Sequence, residues 1–117
     1  MAFCGLLALS PANASEPYSR ADTYREITYQ LVAGADYLQT LQIARPGGQW
    51  ETNPLLGREP SRSHVTAFFA AGGIAHALIT RALPPTWRPW WQYTTIAFEA
   101  GFVASNLRFG VGVRLPW

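Results

Sequence analysis

The sequence predicts an all-α fold: an integral membrane three-helix bundle behind an N-terminal signal-like segment, with a short extended C-terminal tail. Three observations predict it. Of the 117 residues, 49% are apolar and only 14% are charged, against roughly 25% charged in soluble domains. The charges gather at 16–26, 45–62 and 81–88 and leave long apolar stretches between them. Trp87, Trp90, Trp91 and Tyr93 crowd one boundary, as an aromatic belt does at the headgroup level.

A chain of this length makes one small domain. Its net charge is +2, every cation is Arg, and no basic stripe is interleaved with aromatics. That excludes nucleic acid as a partner. Cys4 is the single cysteine, so disulfide frameworks and cysteine metal sites are excluded too.

The opening run "MAFCGLLALSPANASEP" is apolar and ends in Ala12-Asn13-Ala14. An A-x-A pattern of this kind marks cleavage of a secretory signal after Ala14, although the usual positive start is missing. The organisation expected is therefore residues 1–14 as a signal peptide or signal anchor, then 15–117 as one three-span domain. The spans fall at about 27–44, 65–83 and 91–107.

The first span has 18 residues, just enough at about 1.5 Å each to cross a hydrocarbon core of roughly 30 Å. Gln30, Asp36, Gln39 and Gln42 make it the weakest of the three, and an amphipathic helix lying on the membrane is its competing reading. The second span, "VTAFFAAGGIAHALITRAL", has no charge before Arg81 if His76 is neutral. Ser63 is its expected N-cap and Pro84-Pro85 its end. Its glycines are costly for a helix in water, yet its run of small residues lets helices approach closely in a bilayer. The third span follows "WRPWW", with Pro89 suited to a first helical turn. The short link 84–89 predicts that the second and third helices are antiparallel neighbours. The tail 108–117 alternates like a strand, but one strand closes no barrel, so an extended tail is expected.

An exported start places residue 15 outside the bacterial inner (cytoplasmic) membrane, loop 45–64 in the cytoplasm and the C-terminus inside. Five arginines then lie inside and four outside, a weak bias in the positive-inside direction.

Each span carries a polar stripe. Gln92, Thr95, Glu99 and Asn106 share a face of the third helix, Thr66, Gly73, His76 and Thr80 one of the second, and Asp36 and Thr40 one of the first. Ionisable groups facing lipid cost several kcal/mol, so the stripes are expected to face each other. Asp36, His76 and Glu99 are then expected to meet at mid-depth, with Thr40, Thr66 and Asn106 below them. In the loop, Asn53-Pro54 reads as an N-cap followed by proline at the first helical position. Glu51 and Asn53 are expected to close the cytoplasmic end of this seam.

"ADYLQT" followed by "ETNPLLG", a span with a central histidine and a last span with a central acid resemble a group of small bacterial and phage membrane proteins. Those proteins share an Asp-x-x-x-Thr helix and a Glu-x-Asn-Pro-Leu loop. The resemblance covers roughly residues 30–107 and rests most on Asp36, Thr40 and the Glu51–Leu55 run. It implies the topology and the choice of residues, and carries no established activity.

The function expected is a structural or accessory component of the inner membrane, with the lipid bilayer as partner and a homo-oligomer or larger membrane complex as its setting. The alternatives are a proton or metal-ion transport component, a membrane-embedded hydrolase, and a phage-type lysis protein. Acid–histidine sets at mid-depth suit proton relay or cation binding, although three helices enclose no path. No cofactor is evident. A metal ion would fall to His76, Glu99 and Asp36, but HExxH-like spacing is missing, and no Gly-x-Ser-x-Gly marks a nucleophile.

Overall fold

The computed structural model describes residues 18–44 and 61–113. It contains three helices, α1 (Arg20–Ile43), α2 (Arg62–Ala82) and α3 (Arg88–Arg108), and no strand among the described residues. The signal-like segment and the 45–60 loop lie outside the described residues.

All three helices begin before the expected spans, and local chemistry sets each start. In α1 the Ser19 hydroxyl accepts the Asp22 N–H at 2.9 Å while Asp22 Oδ2 accepts the Ser19 N–H at 3.0 Å. This reciprocal capping box satisfies two donors that a helix start otherwise leaves orphaned. The cap of α2 is Ser61, which accepts the His64 N–H at 3.1 Å, so Ser63 lies inside the first turn rather than capping it. Leu83 ends α2 in an extended conformation, as expected of a residue whose successor is proline. Pro89 occupies the first turn of α3.

At the end of α3 the chain reverses. Gly110 has φ +82° and donates to Leu107 O at 3.1 Å, while Val111 N–H donates to Asn106 O at 2.9 Å. These bonds form a Schellman motif, whose left-handed position favours glycine. The tail then runs back against α1. Val111 is buried, its carbonyl accepts from Gln39 at 3.1 Å, and the Gly112 carbonyl accepts from Gln42. Gly110→Ala is expected to cost about 1 kcal/mol, the penalty of a Cβ in the left-handed region. Equilibrium unfolding measures it.

The direction of packing follows from the contacts. Gln30 meets Gly73 and Tyr37 meets Thr66, so α1 and α2 run antiparallel. Asp22 meets Gln92 and Gln39 meets Asn106, so α1 and α3 run parallel. The largest interface is between α1 and α3, and the smallest is between α2 and α3, although only residues 83–87 join that pair. The short link fixes their direction without making them the main partners.

Polarity is inverted relative to a water-soluble bundle. Asp36, Gln39, Thr40, Thr80, Arg88 and Gln92 are all at most 2% exposed, while Leu31, Trp90, Ile74 and Phe98 are more than 60% exposed. Lone exposed apolar residues are ordinary, but buried polar ones are the informative kind. Among the described residues α2 alone is long and apolar enough to cross a membrane, and only 17% of its apolar window is buried. A core helix of a soluble protein would bury most of that surface.

Candidate functional site

The buried polar groups recur at spacings of three and four along α1 and α3. In α1 the stripe is Asp22, Glu26, Tyr29, Ala33, Asp36 and Thr40. In α3 it is Arg88, Gln92, Thr95, Glu99, Phe102 and Asn106. This is heptad spacing, with polar side chains where a coiled coil has apolar ones. His76 and Thr80 of α2 close the seam on the third side.

At the end where α1 begins, the Asp22 carboxylate lies between two guanidinium groups. Arg25 Nη2 is 2.6 Å from Oδ1 and Arg88 Nη1 is 3.3 Å from Oδ2. Arg88 also donates to the carbonyls of Thr80 (3.1 Å), Leu83 (3.0 Å) and Arg81 (3.4 Å), capping the open carbonyls at the end of α2. Gln92 donates to the Asp22 carbonyl at 2.9 Å and accepts from Arg25 Nε at 2.7 Å.

Asp22 lies ahead of the apolar stretch that starts at Ile27. Burial pushes its carboxyl up, but the Ser19 N–H and hydroxyl, then Arg88, outweigh burial and hold it below the ordinary carboxylate range. A depressed carboxyl stabilises the fold above its unfolded-state pKa and loses that contribution as pH falls through the folded value. Stability is therefore expected to fall below about pH 4, the ordinary carboxylate range, and Asp22→Asn should flatten that acid limb. Unfolding midpoints between pH 2 and 6 (on the order of the window in which a carboxyl titrates) check it.

One turn further in, His76 is 3% exposed. Its Nδ1 is 3.0 Å from the Glu26 carboxylate and its Nε2 is 2.7 Å from Thr95 Oγ1. Tyr29 stacks on one ring face at 3.5 Å between centroids and Trp91 lies on the other at 5.0 Å. Thr80 donates to the His76 carbonyl at 2.7 Å and accepts from Trp91 Nε1 at 3.0 Å.

A second layer lies toward the other end of α1. Asp36 Oδ1 accepts from Asn106 at 3.2 Å and is 3.5 Å from Thr40 Oγ1. The other Asn106 amide bond goes to Gln39 Oε1 at 3.2 Å. Glu99 faces the Asp36 side chain. Among the described residues, Glu99 Oε2 is the buried side-chain atom without a hydrogen-bond partner.

The structure thus brings together Asp36, Thr40, Glu99 and Asn106, and places His76 elsewhere. Within one protomer the expected mid-depth meeting does not occur, for a geometric reason. Antiparallel pairing sets Tyr37 level with Thr66, so His76, ten residues on, lies about 15 Å along the bundle, level with Glu26. Thr66 does not join the second layer; its hydroxyl meets Tyr37 at 3.0 Å in an exposed position. Glu51 and Asn53 lie outside the described residues. Sequence reasoning missed Asp22, Glu26 and Arg88, whose signal is the three–four recurrence continued past the apolar limits of the spans.

His76, Glu99 and Asp36 do not converge on one point, and both His76 nitrogens have partners. Among the described residues no group of three His, Cys, Asp or Glu side chains is placed to hold a metal ion. The order Glu26–His76–Thr95 has the connectivity of an acid–base–hydroxyl triad. Thr95, however, sits in mid-helix, within 2.9 Å of the Trp91 carbonyl and 3.0 Å of the Gln92 carbonyl. The α3 amides around it are spent on helix bonds, so no oxyanion donor faces the hydroxyl among the described residues. The arrangement suits holding and passing protons better than acyl transfer. Comparison with family models, with curated proteins and with solved structures finds no match.

Proposed function

We propose that the protein is a three-span component of the bacterial inner membrane, structural or accessory in role, whose helices are held together by the buried polar seam. The inverted polarity carries this reading: charged and amide side chains fill the interior while Leu31, Ile74, Phe98 and Trp90 face outward. In lipid the apolar surface provides no drive for association, so interhelical hydrogen bonds, at roughly 0.6 kcal/mol each, and close packing must supply it. The resemblance of Asp36, Thr40 and the Glu51–Leu55 run to small membrane proteins supports the same reading. The bilayer is the partner, with a homo-oligomer or larger complex as the setting. Reporter fusions at Gly57 and Trp117 test the topology, and both should report cytoplasm. A periplasmic signal from Gly57 would overturn it.

A second reading, proton handling, is favoured by Glu99. Packing requires satisfied groups, whereas Glu99 is an acid set beside Asp36 that keeps Oε2 without a partner. Three helices enclose no path, so transport by this seam requires association of copies or a partner subunit.

A further inference from the structure

We propose that Glu26, His76 and Thr95 form a reversible proton-binding site, in which the His76 ring is fully hydrogen-bonded both with and without the extra proton. This rests on the proton-handling reading of the seam and gives it a second station, apart from the Asp36–Glu99 pair. The hydrogen count carries it. With a neutral ring, Nδ1–H donates to the Glu26 carboxylate at 3.0 Å, and Nε2 accepts the Thr95 hydroxyl hydrogen at 2.7 Å. With a protonated ring, Nε2–H donates to Thr95 Oγ1. The hydroxyl hydrogen then turns to the Trp91 carbonyl at 2.9 Å or the Gln92 carbonyl at 3.0 Å. One N–H bond forms, the proton comes from water and returns to it, and the ring–carboxylate pair passes from a charge of −1 to zero. No helix needs to move.

Most buried histidines are satisfied in one state and lose a bond in the other, since a ring nitrogen is either a donor or an acceptor. A threonine hydroxyl beside its own helix carbonyls removes that loss, because it can reverse its role by rotation. The stacking of Tyr29 and Trp91 holds the ring plane fixed in both states, and aromatic faces favour the cationic form. The groups facing the ring are Glu26 and Tyr29 from α1 and Thr95 and Trp91 from α3. The Asp22 cluster with Arg25 and Arg88 lies one turn outward, and Glu99 one turn inward. The Glu26 side chain is 15% exposed and stands one residue ahead of the apolar stretch that starts at Ile27, which makes it the edge of the site nearest water.

The test is 15N NMR of histidine-labelled full-length protein in detergent, with exposed His64 as internal reference, from pH 4.5 to 8.5 (on the order of two units either side of an ordinary imidazole). The expected result is a His76 that passes between the Nδ1–H tautomer and the imidazolium while the fold persists. Thr95→Val should lower its midpoint by roughly one pH unit, because the cation loses its acceptor, and Thr95→Ser should restore it. Glu26→Gln should lower it further and serves in place of Thr95→Val if that variant does not fold. An Nε2–H tautomer, a ring that keeps one state across the range, or a midpoint indifferent to both Thr95→Val and Glu26→Gln would overturn the site. Titration as expected without proton flux in vesicles would keep the site and remove the transport reading. Flux with a non-titrating His76 would do the reverse.

Discussion

Arg88→Leu is expected to destabilise the bundle by about 3–5 kcal/mol, the usual consequence of removing one partner from a buried ion pair. Arg88 is 1% exposed and holds five groups: the Asp22 carboxylate, three carbonyls at the end of α2, and the ring face of Tyr18, which lies 5.3 Å from its guanidinium carbon. Leucine fills similar space and satisfies none of them. The magnitude comes from the acid left behind, so Asp22→Leu in the same chain should recover a large part of the loss. Arg25→Leu removes the other guanidinium, which is 15% exposed and closer to water, and should cost about 1 kcal/mol. Equilibrium unfolding of the three variants in one detergent orders them. An Arg88→Leu protein as stable as its parent would show that the pair does not form.

Glu99→Gln separates the two readings of the seam. The amide keeps the shape of the acid and adds a donor that the neighbouring Asp36 carboxylate can accept. A buried amide is also cheaper than a buried charge. The variant should therefore fold as well as its parent or better. If the seam is structural, whatever phenotype the protein supports should survive. If Glu99 passes protons, proton flux in vesicles should vanish although the protein is folded. Glu99→Leu is the control, since it removes the polar group beside Asp36 and should loosen α1 from α3 under either reading. A Gln variant that neither folds nor inserts would defeat both.

The three helices were legible because apolar runs, prolines and the tryptophan boundary punctuate the chain. The stripes on each helix were legible from spacing alone, and Asp36, Thr40, Glu99 and Asn106 do assemble. What spacing cannot supply is the stagger between helices. Depth counted from the end of each apolar run placed His76 beside Asp36. The true stagger is set by Gln30 against Gly73, where a Cβ would come within 2.9 Å of the amide oxygen, and by Tyr37 against Thr66. The outer cluster was missed because Asp22, Glu26 and Arg88 read as solvated charges flanking a span. They are buried because the helices continue beyond the hydrophobic limits, as the Ser19–Asp22 cap permits. The tail turned back because Gly110 allows it and the amides of Gln39 and Gln42 receive it. Alternation of side chains carries no sign of either.

The parallel pairing of α1 with α3 has a consequence for how such a chain is made. Helices emerge from the ribosome in order, and α1 is complete some 45 residues before α3 begins. In a bilayer, α1 would spend that interval with Asp22, Asp36 and Gln39 lacking the partners that α3 brings. The least apolar segment is thus the one that waits longest, and in the meantime α2 offers it Thr66, the Gly73 carbonyl, His76 and Thr80, none of which reaches Asp22 or Asp36. On the inner-membrane reading proposed above, biogenesis of this bundle requires something to shelter α1 until synthesis of α3 ends. A chain truncated after Ala82 should accordingly slip out of the membrane at its first helix while keeping its second.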